Sequence, residues 1–305
     1  MKRVGFNIAV VEREVGLSKD VLRVWERRYG FPAPERDANG ERVYPAEQVE
    51  RLRLIKRLMD QGHRPGRLLT ATVKDLRALT PRRTSDATAG AGEGLDELVD
   101  LIRRHEAEGY SLAMLQRLAR QGLQRFVLDT VGPLTQLIGN AWAAGRLQVH
   151  EEHVFTELTE RLLRHAIATM PSGHGPRILL TTLPNEQHGT GLLMAEAMLS
   201  LEGARCISLG TQTPVMEVVR AAAAHGADIV ALSFSAAYPR RQIPALLQQL
   251  RAALPRGTQL WAGGSGMSRV AAQDGVLGFG ELGDAVAALA RWRSIHAADE
   301  RAGEQ

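Results

Sequence analysis

After Pro171-Ser172-Gly173 the hydrophobic rhythm of the chain changes to four short β-rich runs, RILLTTL, ARCISL, DIVALSF and QLWAGG. They are separated by longer segments of helical pattern such as GLLMAEAMLSLEG and PVMEVVRAAAAHG. This alternation constrains the fold more than any other feature, because strands and helices taken in turn predict a doubly wound parallel sheet with helices on its faces. Ahead of it, from Leu95 to about Met170, three sets of apolar residues recur at helical spacing: Leu95, Leu98, Leu101 and Ile102; Leu115, Leu118 and Leu123; Phe155, Leu158 and Leu162. Several antiparallel helices of this kind predict a bundle. Thr80 to Gly94, crowded with Thr, Ser, Ala and Gly and without apolar periodicity, reads as a flexible linker.

The length of 305 residues is about two domains' worth. Hydrophobic residues at 44% and charged residues at 24% match soluble globular proteins and argue against a disordered chain. No stretch reaches the roughly 18 apolar residues of a membrane span, and the N-terminus has no long apolar block, so a soluble cytoplasmic protein is expected. Cys206 is the single cysteine, which excludes an intramolecular disulfide and a cysteine-based metal cluster within one chain. The net charge of +4 is unevenly spread. Residues 1–70 hold 15 Lys and Arg against 10 Asp and Glu, whereas the remainder holds 23 against 24. The basic excess therefore sits where a polyanion would be sought first.

Within that basic segment Asn7 is placed to cap a short helix whose Ile8, Val11 and Val15 share a face, and Gly16 to end it. Ser18 caps a second helix, Lys19 to about Tyr29, with Val21, Leu22, Trp25 and Tyr29 at core spacing. This is a helix-turn-helix pattern. Lys19, Arg23 and Arg27 recur every four residues on the second helix, which suits the phosphates and base edges of a major groove and equally describes a solvated basic face. Asn39-Gly40 is a hairpin-turn dipeptide, and Arg42-Val43-Tyr44 alternates as a strand does, giving a small wing with Arg42 and Tyr44 on one face. Pro45 then opens a helix, Ala46 to Gln61. From residue 5 to about 70 this run, with LRVWERRYG and GERVYP as its specific parts, resembles the winged-helix DNA-binding domain of the MerR family of transcriptional regulators. The resemblance implies that Lys19, Arg23 and Arg27 face the major groove of double-stranded operator DNA while Arg42 and Tyr44 hold wing phosphates. MerR proteins commonly dimerise through a long coiled-coil helix after this domain. A linker and a bundle stand there in this chain, so self-association is expected from another part.

The first β-rich run leads into LPNEQHGTG, which sets Glu186, His188, Gly189 and Gly191 on a strand-to-helix loop, the place where doubly wound folds bind ligands. His188 is there a candidate metal ligand, and Glu186 is placed to fix its tautomer by accepting a hydrogen bond from the second ring nitrogen. A plain surface histidine is the alternative. Ser233-Phe234-Ser235 ends another strand and Gly263-Gly264 a further one, so small and hydroxyl residues at three strand ends would leave a slot suited to a long, thin ligand appendage. The constellation resembles the cobalamin-binding domain shared by methionine synthase and the coenzyme-B12-dependent mutases, whose signature is Asp-x-His-x-x-Gly, then Ser-x-Leu, then Gly-Gly. The resemblance covers residues 176 to about 292. It implies that His188 ligates cobalt from below in place of the cofactor's dimethylbenzimidazole, with the nucleotide tail passing Ser233, Ser235, Gly263 and Gly264. Two positions depart from the signature: Glu186 stands for Asp, and Ser235 for Leu, which makes the slot wall more polar.

In the bundle, Trp142 is followed by Glu152-His153, which taken alone read as a core aromatic and a solvated pair. Beside a cobalamin domain they resemble the upper-ligand cap of the light-responsive CarH and LitR regulators, which combine a MerR domain, a helical bundle and a cobalamin domain in this order. That resemblance implies Trp142 over the upper axial face and Glu152 and His153 hydrogen-bonded to a 5'-deoxyadenosyl group. Ala143 stands where some light-sensing members carry a histidine.

The architecture expected is therefore multidomain α and α/β: a winged helix-turn-helix over residues 1–75, a linker over 76–94, a four-helix bundle over 95–172, a Rossmann-like cobalamin-binding domain over 173–295 and a frayed tail over 296–305. The expected function is an adenosylcobalamin-dependent, light-responsive transcriptional regulator, a repressor that binds operator DNA in the dark as a homo-oligomer, dimer or tetramer. It is released when light breaks the cobalt–carbon bond. No enzymatic activity, membrane association or protein substrate is expected. A regulator with a light-independent or different ligand, another tetrapyrrole or none, and a corrinoid carrier are the alternatives. The enzymes and carriers that use cobalamin need a substrate barrel or a partner active site, and the chain has about 250 residues too few to hold a barrel beside its other domains.

Overall fold

The computed structural model describes residues 5–37, 40–60, 63–79 and 94–303. The chain divides into two compact units, residues 1–86 with 140–147, and residues 87–139 with 148–305. Of the linker expected over 76–94, residues 76–79 and Gly94 are described, and its start is corrected because helix Val73–Ala78 carries Leu76 into the core; the rest, and Asn39 of the expected hairpin turn, lie outside the described residues.

The first unit opens with β1 (Gly5–Asn7), α1 (Ile8–Val15) and α2 (Lys19–Tyr29). Asn7 caps α1 by accepting the Val10 N–H at 2.9 Å, and Ser18 caps α2 by accepting that of Val21 at 3.3 Å. Gly16 and Gly30 close the two helices in the left-handed conformation that only glycine adopts without strain. There follow β2 (Glu35–Arg36), β3 (Arg42–Pro45), α3 (Ala46–Asp60), α4 (Pro65–Thr70) and α5 (Val73–Ala78). The three strands form an antiparallel sheet in the order β1-β3-β2. β1 was not expected from the sequence, since three residues are too few to show an alternating pattern. Val11, Val15, Leu22, Trp25, Leu52 and Ile55 pack into one core beneath this sheet.

Next come α6 (Leu95–Arg103) and α7 (Ala107–Arg125), which continues through a wider π-helical stretch, Phe126–Val131, into α8 (Gly132–Ala143), whose last four residues count with the first unit. Gly122, at φ 72° and ψ 160°, interrupts α7. α9 (Val149–Ala168) completes the helical region. Leu95, Leu98, Leu101 and Ile102 are buried as their spacing implies. In α7 the buried residues are Tyr110 and Met114, while Leu115 is 47% exposed, so the leucine spacing identified the helix and misplaced its inner face. In α9 the buried stripe is Glu151, Phe155, Thr159 and Leu163. Thr159 enters the core because the Tyr110 hydroxyl lies 2.7 Å from its own, which satisfies both polar groups.

The doubly wound sheet follows: β4 (Arg177–Thr181), α10 (Thr190–Leu201), β5 (Arg205–Ser208), α11 (Val215–His225), β6 (Ile229–Ser233), α12 (Ile243–Ala253), β7 (Gln259–Gly263), β8 (Val276–Gly278) and α13 (Leu282–Gly303). All five strands are parallel, in the order β5-β4-β6-β7-β8. Successive side chains go to opposite faces, so Leu179, Val230 and Leu260 enter one core and Ile178, Ile229 and Trp261 the other. β8 escaped the sequence reading for the same reason as β1. α13 runs to Gly303, through the segment expected to fray. β4 has β5 on one side and β6 on the other, so the strand order reverses between β4 and β6 and opens a crevice at their carboxyl ends.

Candidate cofactor site and DNA-facing surface

That crevice receives the loop 182–189. The Thr182 hydroxyl donates to the Glu186 carbonyl at 2.7 Å, the Glu186 N–H donates to Leu183 at 3.1 Å, and the Tyr238 hydroxyl donates to the Pro184 carbonyl at 3.2 Å. The turn drives Glu186 inward to 1% exposure while its neighbour His188 stays 56% exposed. The buried carboxylate is then saturated with donors. Oε1 lies 2.7 Å from His188 Nδ1 and 3.0 Å from the His188 backbone nitrogen, and it accepts the Ser235 hydroxyl at 3.1 Å. Oε2 accepts the Ser235 N–H at 2.7 Å. Burial pushes the Glu186 carboxyl upward, but the bonds from His188 and Ser235 outweigh it and hold the group below its ordinary value.

The same pair raises His188 above its ordinary value, first through the hydrogen bond to Glu186 against the opposing effect of burial, then through the charges of Glu186, Glu152 and Glu160. With Nδ1 carrying its proton toward Glu186, Nε2 is the nitrogen left with a lone pair for a ligand. Ser235 Oγ, 3.1 Å from Nδ1, shares that proton. The two departures noted in the sequence thus meet in space: the longer Glu186 and the hydroxyl of Ser235 hydrogen-bond each other, and what would be an apolar slot wall supports the carboxylate.

Around this cluster the glycines are positions of close approach. A Cβ on Gly191 would sit 3.0 Å from Ser233 Oγ, and Ser233 pairs in register with Gly263. Gly264, at φ 96°, would bring a Cβ within 2.4 Å of the Phe234 carbonyl oxygen. A Cβ on Gly189 would meet Glu160 Oε1 at 2.9 Å, and the Thr190 hydroxyl donates to that oxygen at 3.2 Å. Glu160 was not singled out from the sequence, where only its i+8 spacing from Glu152 on α9 could have marked it.

α9 therefore runs above the loop, with Glu160 against Gly189 and Thr190 and the charge of Glu152 felt at His188. Glu152 accepts the Thr156 hydroxyl at 2.8 Å and lies 3.5 Å from His153 Nδ1, whose side chain is 73% exposed. Trp142, near the end of α8, is half-buried, and its carbonyl accepts the Gly145 N–H at 2.9 Å.

On α2, Lys19, Arg23 and Arg27 are all exposed, with Arg23 3.5 Å from Asp20 of its own helix. Arg42 and Tyr44 share a face of β3, but that face is turned toward α2. Arg42 Nε donates to Glu26 of α2 at 2.9 Å, and this bond raises its already high pKa further. Tyr44 is 0% exposed and belongs to the core, where burial raises its hydroxyl. The expectation that Tyr44 holds a wing phosphate is corrected accordingly: alternation paired it with Arg42, and the strand β1 on one side and α2 beneath make the shared face an inner one.

A winged helix-turn-helix followed by helices and a doubly wound domain with a histidine at its switch point defines a class, and comparison with known proteins agrees at both ends. Residues 6–68 match the model for the MerR HTH family regulatory protein, and residues 176–290 match that for the B12 binding domain. The chain is 30% identical over 264 residues to the HTH-type transcriptional repressor CarA of Myxococcus xanthus, covering 81% of this chain and 83% of CarA. It is 29% identical over 265 residues to the HTH-type transcriptional repressor CarH of the same organism, covering 85% of this chain and 89% of CarH. The chain belongs to this family, the MerR-type transcriptional regulators that carry a B12 binding domain; these relatives are transcription factors and not enzymes. The monomethylamine corrinoid protein of Methanosarcina barkeri is 16% identical and superposes with a TM-score of 0.51 over 65% of this chain and 97% of its own, a likeness of fold. Among the described residues no helix is long and apolar enough to cross a membrane.

Proposed function

We propose that the protein is an adenosylcobalamin-dependent repressor that binds operator DNA as a homo-oligomer in the dark and leaves it on illumination. The observation that carries this reading is the Glu186–His188–Ser235 cluster: a histidine at the switch crevice, oriented through Nδ1 by a buried carboxylate, with Nε2 left for a metal. The fit to a corrinoid rests on the donor set, an exposed imidazole whose Nδ1 is held by a buried carboxylate, while Gly191 and Gly264 pack against the chain's own Ser233 and Phe234 and keep the strand ends close.

In this reading His188 is the lower axial ligand, and Ser233, Ser235, Gly263 and Gly264 line the path of the nucleotide tail. Trp142, Glu152 and His153 meet the upper ligand. When bound, adenosylcobalamin supplies a cobalt–carbon bond that visible light cleaves. The protein's own part is to hold contacts that differ between the two states, since a ligand shifts an equilibrium only by its differential interaction with them. Glu152 and His153 are polar groups that gain partners in one state and lose them in the other. Lys19, Arg23 and Arg27 supply the cations that face DNA, and Arg42 joins the wing to α2 through Glu26. The domain divisions belong to the same proposal, with the linker starting after α5 (Val73–Ala78).

The test is to mix full-length protein with adenosylcobalamin in darkness and record the absorption spectrum, oligomer size and operator binding before and after green illumination. A spectrum of histidine-ligated cobalamin with dark-dependent DNA binding is expected. Tight cobalamin binding with DNA affinity and size unchanged by confirmed photolysis would refute the light response, and no cobalamin binding would refute the cofactor.

A further inference from the structure

The turn between α6 and α7 and the first turn of α9 bring together three side chains that the cofactor reading leaves unused. His105, His150 and Glu151 each place one ligand atom so that all three lie within 4.8 Å of one another. The two imidazole rings have centroids 5.5 Å apart and are tilted by 35°.

The backbone at His105 is unusual for its residue type. The Glu106 N–H returns to the Leu101 carbonyl at 2.9 Å and the His105 N–H to that of Ile102 at 3.0 Å, which closes α6 in a Schellman motif. The residue that turns the corner, normally glycine, is His105 at φ 60°. A side chain in that conformation is strained, and such strain at a polar residue points to a role for the side chain.

Glu151 is only 8% exposed, and its Oε2 accepts the Gln148 N–H at 2.6 Å, which fixes the carboxylate and leaves the other oxygen for a ligand. Both histidines are exposed. Two neutral imidazoles and one carboxylate carry a formal charge of about −1, enough to offset the positive end of the α9 dipole for a bound cation.

We propose that His105, His150 and Glu151 form a binding site for a divalent transition-metal ion, Zn2+ or a neighbour of similar softness. The donor set decides the class. Calcium and magnesium seek six or more oxygens, whereas imidazole nitrogen with one carboxylate selects zinc and the late transition metals. A tetrahedral ion at about 2.1 Å from its ligands holds them about 3.4 Å apart, so the side chains close by about 1.4 Å at most. Exposed imidazoles make that movement by rotation alone. Three protein ligands leave a fourth position for water, and the bound ion would tie the α6–α7 turn to the start of α9.

The experiment titrates metal-stripped, cobalamin-free full-length protein with Zn2+ against a chromophoric chelator and measures the thermal midpoint with and without Zn2+. One equivalent is expected to bind tightly and to raise the midpoint. His150→Ala should weaken that equivalent at least tenfold. His105→Gly, which suits the left-handed turn and so keeps the fold, should abolish the Zn2+ response while holding or raising the midpoint of the metal-free protein. No tight equivalent in the wild type overturns the site, as does an equivalent of unchanged affinity in both variants.

Discussion

Replacing Glu186 by Gln removes one negative charge and one acceptor from a group that is 1% exposed. The amide oxygen can be turned toward His188 and keep the bonds that Oε1 accepts, but the NH2 then faces the Ser235 N–H, whose partner Oε2 stood 2.7 Å away. A charge-assisted bond is lost and a buried donor is left without an acceptor. Together these cost about 2–3 kcal/mol, or roughly 30- to 150-fold in a local opening equilibrium. The His188 ring adds little to this because it is 56% exposed and its charge is screened. The cost depends on pH, and the sign follows from the two shifts. Glu186 lies below its ordinary 4.5, so its contribution is present above that value and is lost as pH falls through the depressed one. His188 lies above its ordinary 6.5, so its contribution is present below that value and is lost as pH rises through the raised one. The difference between wild type and Glu186→Gln is therefore largest at about pH 5–6. Hydrogen exchange at the amides of His188 and Ser235 reads it directly. Protection equal to wild type at pH 5.5 would show that the carboxylate does not organise the loop.

His188→Ala should abolish histidine ligation and leave cobalamin bound weakly or with water below, seen in its absorption spectrum; an unchanged spectrum removes His188 from the site. Acid titration of the loaded wild type should lose the histidine-ligated spectrum as the proton competes for Nε2, at a pH above the value expected for a free imidazole competitor were Glu186 absent, so Glu186→Gln should shift the transition to lower pH. Arg23→Ala should weaken operator binding and relax sequence preference, whereas Arg42→Ala, which also frees Glu26, should weaken all sequences about equally, with footprints over a salt series as the readout. Gly264→Ala must relieve a 2.4 Å approach to the Phe234 carbonyl at positive φ and should destabilise the α/β domain by about 2 kcal/mol or more, measured by urea unfolding.

What the sequence made legible was the chemistry carried by short spacings. Asn7 and Ser18 cap the helices read from their positions, and Glu186 orients His188 through Nδ1 as the two-residue separation suggested. Such features depend on residues a turn or less apart, where local backbone geometry decides the contact. The pattern failed where a third element chose the face. Leu115 is solvent-exposed because Tyr110 and Met114 hold the inner face of α7, and Tyr44 is buried because its face of β3 belongs to the core that holds Leu22 and Trp25 of α2. The bond between Ser235 and Glu186 spans 49 residues and joins two substitutions that looked independent, and no local rule could have paired them.

α9 is the element on which these observations converge. Its buried residues fix it to the bundle: Phe155 meets the Tyr110 ring edge-on at 6.1 Å, and Thr159 shares a hydrogen bond with the same tyrosine. Its adjoining face addresses the crevice through Glu152 and Glu160, and the Glu160 carboxylate lies close enough to Gly189 that a methyl group there would make it shift. Residues 152, 156 and 160 are successive turns of one ridge, so the helix cannot rotate to move one without moving the others. The Thr190–Glu160 bond lies two turns along the same ridge from Glu152, and Tyr110 joins α9 to α7, whose helix is broken at Gly122 about three turns later. A packed helix with polar contacts on one face and a core on the other has few arrangements that satisfy both, so α9 holds Glu152 and Glu160 at fixed places over the crevice.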